Sequence, residues 1–193
     1  MMKNTIGIIG LGYVGQTLLA TLSYYGYYVI GVDISDRIVS PLRKGVPTIY
    51  EQKIKDYLRD AYERKNYHVS STYSDLIDTD LVFVTVNTNL NSNGYMDLST
   101  LRKVAESLGS VMKRKMDTMT IIIKSTVLPG TTNGIFIDML SKKFGLVFGS
   151  DFNVVVNPEF LREGTAVSDL EHAKYVVIGS ENERSGDTVE MFW

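Results

Sequence analysis

Two carboxylates, Glu159 and Glu163, are four positions apart and are the first candidates for acid–base chemistry. Side chains at this spacing can share one side of a loop or helical turn. A carboxylate shielded from water has its pKa raised toward a value that suits a general base. The alternative is a pair of solvated charges that pair with Arg162 or Lys174, which is the commoner outcome for this spacing alone.

Hydroxyl side chains occur at two further places where ligand chemistry is expected. Ser125 and Thr126 follow one apolar run of strand length, and Thr88 follows another that ends at Val86. Open α/β sheets bind their ligands just beyond the carboxyl ends of the strands, so we predict binding roles for all of these residues. The alternative for each hydroxyl is a helix cap or a turn.

The sequence Gly-Leu-Gly-Tyr-Val-Gly at 10–15 fits the pattern G-x-G-x-x-G, between a predicted strand and a predicted helix. Gly10 allows a tight turn, Gly12 lets the backbone approach a pyrophosphate, and Gly15 allows close packing of helix on strand. The free N–H groups at the start of the helix favour an anion. We therefore predict a dinucleotide-binding turn that includes Tyr13 and Val14; a chance trio of glycines is the alternative.

Asp33 ends the next predicted strand, about 20 residues beyond the turn, where an acid accepts hydrogen bonds from the adenosine ribose. The carboxylate would repel a 2′-phosphate, which favours NAD over NADP as the cofactor. Arg37 is close enough to accommodate a 2′-phosphate or to stack on adenine, and we count it among the cofactor-binding residues. The turn alone does not exclude FAD.

The elements that must position these residues alternate along the chain. Apolar runs predict strands at 5–9, 28–33, 81–86, 120–123, 153–156 and 175–179. Helices are predicted at 13–25, 35–44, 51–65 and 131–143, and a further helix, capped by Asp97 or Ser99, runs to about residue 113. Strands that are apolar on both faces indicate a sheet covered on both sides. The predicted fold is a doubly wound, mostly parallel α/β sheet with helices on both faces, the Rossmann fold.

Composition excludes several classes of protein. The chain has 193 residues, 44% hydrophobic residues and a net charge of −2, which is typical of one globular domain and gives no general attraction to nucleic acid or anionic lipid. It has no cysteine, so a disulfide, a thiolate zinc site and a cysteine nucleophile are excluded within it. We predict no metal site and no membrane segment, and a cytoplasmic location.

Three segments together with the glycine turn carry a family resemblance. They are Val-Asn-Thr-Asn at 86–89, Lys-Ser-Thr-Val-Leu-Pro-Gly-Thr-Thr at 124–132, and Asn-Pro-Glu-Phe-Leu-Arg-Glu-Gly at 157–164. The chain resembles the N-terminal NAD-binding domain of the UDP-glucose/GDP-mannose dehydrogenase family over essentially its whole length. The resemblance implies oxidation of a sugar C6 alcohol to a carboxylate with reduction of two NAD. It also implies a central helix and a C-terminal sugar-nucleotide domain, which supplies a catalytic cysteine and which this chain lacks.

The same resemblance implies roles for individual residues. Thr126 helps to hold the catalytic water and contacts the cofactor. Of Glu159 and Glu163, one activates water for thioester hydrolysis and the other lies near the nicotinamide. We assign both residues as catalytic. We also expect Glu163 to bind the cofactor and Glu159 to bind the substrate. Phe160 and Leu161 line the sugar site. The resemblance also implies cofactor contacts for Thr88, Val86 and Ser125.

The sequence departs from the family pattern at several places. Asn89 stands where proline is usual, Gln52-Lys53-Ile54 replaces Pro-Gly-Leu, and the segment after Asp33 is one residue short, which leaves the role of Arg37 open. We predict a homo-oligomeric full-length enzyme that acts on UDP-glucose, with GDP-mannose or another UDP-sugar as the alternative. This fragment is expected to be inactive and monomeric, or a stand-alone NAD-binding module. Another two-domain dehydrogenase, of the 6-phosphogluconate or 3-hydroxyacid type, would lack the 157–164 string.

Overall fold

A single mixed sheet forms the centre of the computed structural model, which describes residues 5–193; residues 1–4 of the predicted domain lie outside the described residues. Its strands are β1 (Thr5–Ile9), β2 (Tyr28–Val32), β3 (Tyr67–Ser70), β4 (Leu81–Val84), β5 (Met119–Ile123), β6 (Phe152–Val156) and β7 (Gly179–Ser180). Their spatial order is β3-β2-β1-β4-β5-β6-β7, and every neighbouring pair is parallel except β6 and β7. The order reverses between β1 and β4, which is where doubly wound folds bind ligands.

Helices cover both faces of this sheet. They are α1 (Tyr13–Tyr24), α2 (Asp36–Leu42), α3 (Ile54–Glu63), α4 (Ser99–Met112), α5 (Asp138–Phe144), α6 (Ala166–Glu171) and α7 (Glu183–Glu190). A 3₁₀ helix spans Tyr73–Asp78, and a π-helical turn, Asn133–Ile137, leads into α5. Within residues 5–193, no helix combines the length and the apolar character needed to cross a bilayer.

The core consists of two clusters, one on each face of the sheet. Residues of one strand alternate between them: Ile121 and Ile123 join the cluster beneath α4 and α5, whereas Ile122 joins the cluster beneath α1 and α3. This alternation is why the strands are apolar throughout their length. The predicted doubly wound sheet with helices on both faces is confirmed.

The first helix ends just before a glycine in the left-handed region of backbone conformation. Gly26 has a φ of +98°, which favours glycine. The N–H of Tyr27 donates to the carbonyl of Leu22 at 3.1 Å. This closes the end of α1 in the manner of a Schellman motif.

Two sheet edges differ from the prediction. The short strand β3 was not predicted, because its sequence Tyr-His-Val-Ser has one strongly apolar residue and it pairs with β2 alone. The predicted strand 175–179 is wrong over 175–178, since the carbonyl of Val177 accepts from the side chain of Asn157 instead of a strand neighbour. Only Gly179 and Ser180 pair, antiparallel, with β6.

Candidate cofactor and active site

The glycine turn has the geometry that a close phosphate approach requires. Gly10 has a φ of +90°, and a Cβ added to Gly15 would lie 2.0 Å from the carbonyl oxygen of Gly10. Both positions therefore depend on glycine for the fold itself. A Cβ added to Gly12, by contrast, would meet no protein atom within 4 Å. Gly12 thus faces open space at the start of α1.

A crevice of about 410 Å³ opens beside this turn, between the ends of β1, β2 and β4. Gly10, Gly12 and Asp33 line it. The carboxylate of Asp33 accepts hydrogen bonds from the N–H of Leu11 at 2.7 Å and of Ser35 at 2.8 Å. These bonds hold the acid at the crevice edge, between the glycine turn and the start of α2.

Val86 and Arg37 are also predicted to contact the cofactor, and only Val86 lines the crevice. Val86 lines the 410 Å³ crevice together with Asn89, the residue that replaces the usual proline. Arg37 lies in the first turn of α2 with its side chain exposed, and it is not among the residues that line the crevice.

The crevice fits a dinucleotide. It combines an open glycine position, the unpaired N–H groups at the start of a helix and a carboxylate at the neighbouring strand end. Hydrogen-bond donors therefore adjoin the place where a pyrophosphate would bind, and an acceptor adjoins the place where a ribose would bind. NAD would be held by the backbone of the glycine turn and by Asp33.

A smaller cavity of about 140 Å³ gathers the predicted hydroxyls and one of the two glutamates. It is lined by residues from the start of α1 and from the ends of β4, β5 and β6: Val14, Thr85, Val86, Asn87, Thr88, Lys124, Ser125, Thr126 and Glu159. Thr88 donates to the carbonyl of Thr126 at 2.9 Å, and Ser125 donates to the carbonyl of Val86 at 2.6 Å. These bonds tie the loops after β4 and β5 together beside the carboxylate of Glu159.

Lys124 is a functional candidate that the sequence reasoning passed over, although it begins the Lys-Ser-Thr string. Lys124 is 4% exposed, donates to the side-chain oxygen of Asn157 at 3.0 Å and lies 4.8 Å from the centre of the Trp193 ring. Burial lowers the pKa of Lys124 to about 8, against an opposing effect of Glu159. A buried ammonium group therefore lies at the wall shared by the small cavity and its larger neighbour.

The larger neighbouring cavity has a volume of about 560 Å³. All three residues predicted to bind the sugar line it: Glu159, Phe160 and Leu161. Glu159 accepts a hydrogen bond from the N–H of Leu161, so its carboxylate folds back over its own loop. Phe160 is 53% exposed and packs edge-on against Tyr175 at a ring distance of 5.2 Å. Glu159 thus lines both cavities and connects them.

Glu163 is separated from this group. It is exposed and is not among the residues that line the three cavities described above. Arg162 forms an ion pair with Asp169 at 2.7 Å rather than with either glutamate, and this pair lowers the pKa of Asp169 to about 2. Among residues 5–193, Glu159 forms no ion pair with Arg162 or Lys174, whereas its charge acts on the pKa of Lys124.

The turn, the crevice and the acid at the end of β2 define a dinucleotide-binding domain of the Rossmann class. The chain belongs to the UDP-glucose/GDP-mannose dehydrogenase family, because the model of that family's NAD binding domain matches residues 4–193. NAD is the cofactor of this domain.

Relatives and solved structures agree with this assignment. The chain is 35% identical over 188 residues to a UDP-glucose 6-dehydrogenase of Haloferax volcanii, covering 97% of this chain and 44% of that protein. It is 34% identical over 189 residues to a GDP-mannose 6-dehydrogenase of Pseudomonas aeruginosa, covering 97% and 43%. The crystal structure of a ternary complex of the Pseudomonas aeruginosa GDP-mannose dehydrogenase superposes with a TM-score of 0.93 at 34% identity, covering 96% of this chain and 43% of that one. The chain therefore spans less than half the length of these relatives.

Proposed function

We propose that this chain is the cofactor-binding half of an NAD-dependent nucleotide-sugar 6-dehydrogenase that oxidises UDP-glucose. The observation that carries the proposal is one shared cavity: Thr126 and Glu159 line it together with Val14, from the first turn of α1. Groups that can hold and activate water therefore adjoin the turn that would grip the cofactor. GDP-mannose is the alternative substrate, since relatives of both specificities are similarly identical.

When bound, NAD supplies the acceptor for hydride from the sugar carbon. The residues of this chain position the cofactor and a water molecule, and they remove a proton from that water. Gly10, Gly12 and the start of α1 bind the pyrophosphate through backbone N–H groups, and Asp33 binds the adenosine ribose. Thr126 orients a water molecule, and Glu159 accepts a proton from it.

The sugar itself would lie in the larger cavity. Phe160 and Leu161 offer an apolar wall and backbone groups there, next to the carboxylate of Glu159. Glu163 is exposed and its charge acts on Tyr13 at the start of α1, so we assign it to the cofactor side of the site. Homo-oligomeric assembly of the full-length enzyme and cytoplasmic location remain predictions.

The test is a titration of the ¹⁵N-labelled chain with NADH, followed by UDP-glucose or GDP-mannose, monitored by NMR. We expect NADH to shift the amide signals of Gly10, Gly12 and Gly15, and UDP-glucose then to shift those of Thr126 and Leu161. Shifts by GDP-mannose alone would transfer the assignment to that sugar. NADH shifts that spare the glycine turn would contradict the proposal.

A stand-alone NAD-binding module is the second candidate, and the absence of cysteine favours it for this chain taken alone. Without a thiol the aldehyde formed by the first hydride transfer cannot be captured as a thiohemiacetal, so the second hydride transfer and the release of the acid have no route. We therefore predict no sustained NADH formation when the 193-residue chain is incubated with NAD and UDP-glucose. Continuous growth of absorbance at 340 nm under these conditions would overturn the missing-thiol argument.

A further inference from the structure

The carboxylate of Glu51 lies where three distant segments meet. Glu51 belongs to the connection between α2 and α3 and is 5% exposed. Its Oε2 atom accepts hydrogen bonds from the hydroxyl of Tyr13 and from the N–H of Gly164, the latter at 2.9 Å. Its Oε1 atom accepts from the N–H of Gln52 at 2.9 Å. Two of these three donors come from segments far from Glu51 in sequence.

Both distant donors belong to the candidate site. Tyr13 is the first residue of α1, directly after Gly12, and its hydroxyl also accepts from the N–H of Gly164 at 2.7 Å. Gly164 ends the string that carries Glu159 and Glu163, and its φ of +91° is strained for any other residue. Burial, followed by the hydrogen bond to Glu51, raises the pKa of Tyr13, so its hydroxyl stays a donor at neutral pH.

We propose that Glu51 is a positioning residue that clamps the loop after β6 to the start of α1. The clamp fixes the backbone next to Glu163 relative to the phosphate-binding turn. It therefore fixes the distance between a bound cofactor and the loop after β6. This inference rests on the proposed function, because it assumes that the turn binds NAD and that the loop serves the reaction. Glu51 itself would touch neither cofactor nor sugar.

The charge of the carboxylate makes the clamp stronger than an ordinary turn contact. Hydrogen bonds to an ionised acceptor are shorter and roughly twice as strong as those between neutral groups. Three donors converge on the two oxygens of Glu51. An amide in its place has only one accepting oxygen, and its NH₂ group would face a donor. Glu51→Gln therefore breaks at least one bond while the side chain keeps its size.

The chain offers a closely matched control in Glu171, on α6. Its carboxylate accepts from Tyr25, Tyr57 and Lys53, its side chain is 5% exposed, and it also ties α6 to α1 and α3. It differs in that its partners lie at the far end of α1 and in α3, away from the glycine turn. Glu171→Gln thus removes a comparable buried carboxylate without touching the loop amide.

The experiment compares amide hydrogen exchange at Gly164 and NADH affinity in Glu51→Gln and Glu171→Gln. We expect Gly164 to exchange about tenfold faster in Glu51→Gln than in the wild-type chain, because the bond of its N–H to a charged oxygen is either lost or replaced by a weaker bond to a neutral amide. NADH affinity should fall by a similar factor. Glu171→Gln should leave both values near wild type. Equal exchange at Gly164 in all three proteins, or equal acceleration in both variants, would overturn the clamp.

A second pair of variants keeps the test decisive if Glu51→Gln does not fold. Tyr13→Phe removes one donor to Glu51 and also one acceptor of the Gly164 N–H, so it opens the clamp from its other side; Tyr57→Phe removes one donor to Glu171. Gly164 exchange should accelerate in Tyr13→Phe alone; acceleration in neither variant, or in both, would overturn the clamp. Hydrogen exchange is measured without cofactor, so it tests the clamp independently of NADH binding. A wild-type chain that fails to bind NADH would overturn the proposed function, and the exchange rates would still show whether Glu51 holds the Gly164 amide.

Discussion

We propose that the choice of cofactor depends on Asp33. Its carboxylate is held at the crevice edge by the N–H groups of Leu11 and Ser35. A ribose with two free hydroxyls can donate to it, whereas a 2′-phosphate would place negative charge against negative charge. The structure therefore gives a physical basis for preferring NAD to NADP.

We predict that the wild-type chain binds NADH at least about tenfold more tightly than NADPH, and that Asp33→Asn removes most of this difference. The asparagine keeps one accepting oxygen but loses the charge that repels the phosphate. Calorimetry with both cofactors measures the ratio. Asp36→Asn, an exposed acid in the first turn of α2, is the control and should keep the wild-type preference. An unchanged ratio in Asp33→Asn would refute this role.

Lys124 predicts a pH dependence. Its pKa is about 8 in the folded chain because of burial, against about 10.4 in an unfolded chain. Below pH 8 the folded state bears the cost of a buried charge, and between pH 8 and pH 10 the unfolded state binds more protons. Stability attributable to Lys124 therefore rises with pH across this window.

Relative to Lys124→Met, the free energy of unfolding of the wild-type chain should rise by about 2.5 kcal/mol as pH rises from 7 to 10. Urea denaturation of both proteins across this range gives the difference directly, and titrations common to both proteins cancel. Parallel curves for the two proteins would show that Lys124 keeps an ordinary pKa.

At the scale of elements, the fit of α1 on β1 depends on Gly15. A Cβ there would lie 2.0 Å from the carbonyl oxygen of Gly10 and 2.9 Å from the hydroxyl of Thr85. Neither the helix nor the central strand can yield without disturbing its neighbours. We predict that Gly15→Ala lowers the free energy of unfolding by at least about 2 kcal/mol.

Thermal or urea unfolding measures this loss, and Gly12→Ala is the matched control in the same turn. It should unfold like the wild-type chain, because an added Cβ at Gly12 meets no protein atom within 4 Å. If both variants were equally stable, the close approach of α1 to β1 would be wrong.

For the whole molecule, the sequence predicted what is local and missed what depends on distant partners. Gly10 and Asp33 could be predicted because strand, turn and helix follow one another in the chain. The burial of Lys124 could not, because it depends on neighbouring strands and on Trp193. The contact of Glu51 with Gly164 joins residues separated by 113 positions, so only the folded chain reveals it.

The same reasoning explains the partial success at the candidate site. Thr126 and Glu159 were expected near a strand end, and the parallel order of β4, β5 and β6 places them in one cavity. Glu163 was expected beside them, but it is exposed and does not line that cavity, and its charge acts on Tyr13 at the start of α1. A motif fixes the order of residues in a loop; the loop's hydrogen bonds determine which of them face the cavity.

The central claim is that backbone N–H groups at the start of α1 bind the cofactor's pyrophosphate. The most direct test is a calorimetric titration of NADH into the wild-type chain and into Gly12→Val, whose branched side chain would occupy the space left open at Gly12. We predict saturable binding to the wild-type chain and no measurable binding to a variant that remains folded by circular dichroism. Equal affinity in the two proteins would contradict the account.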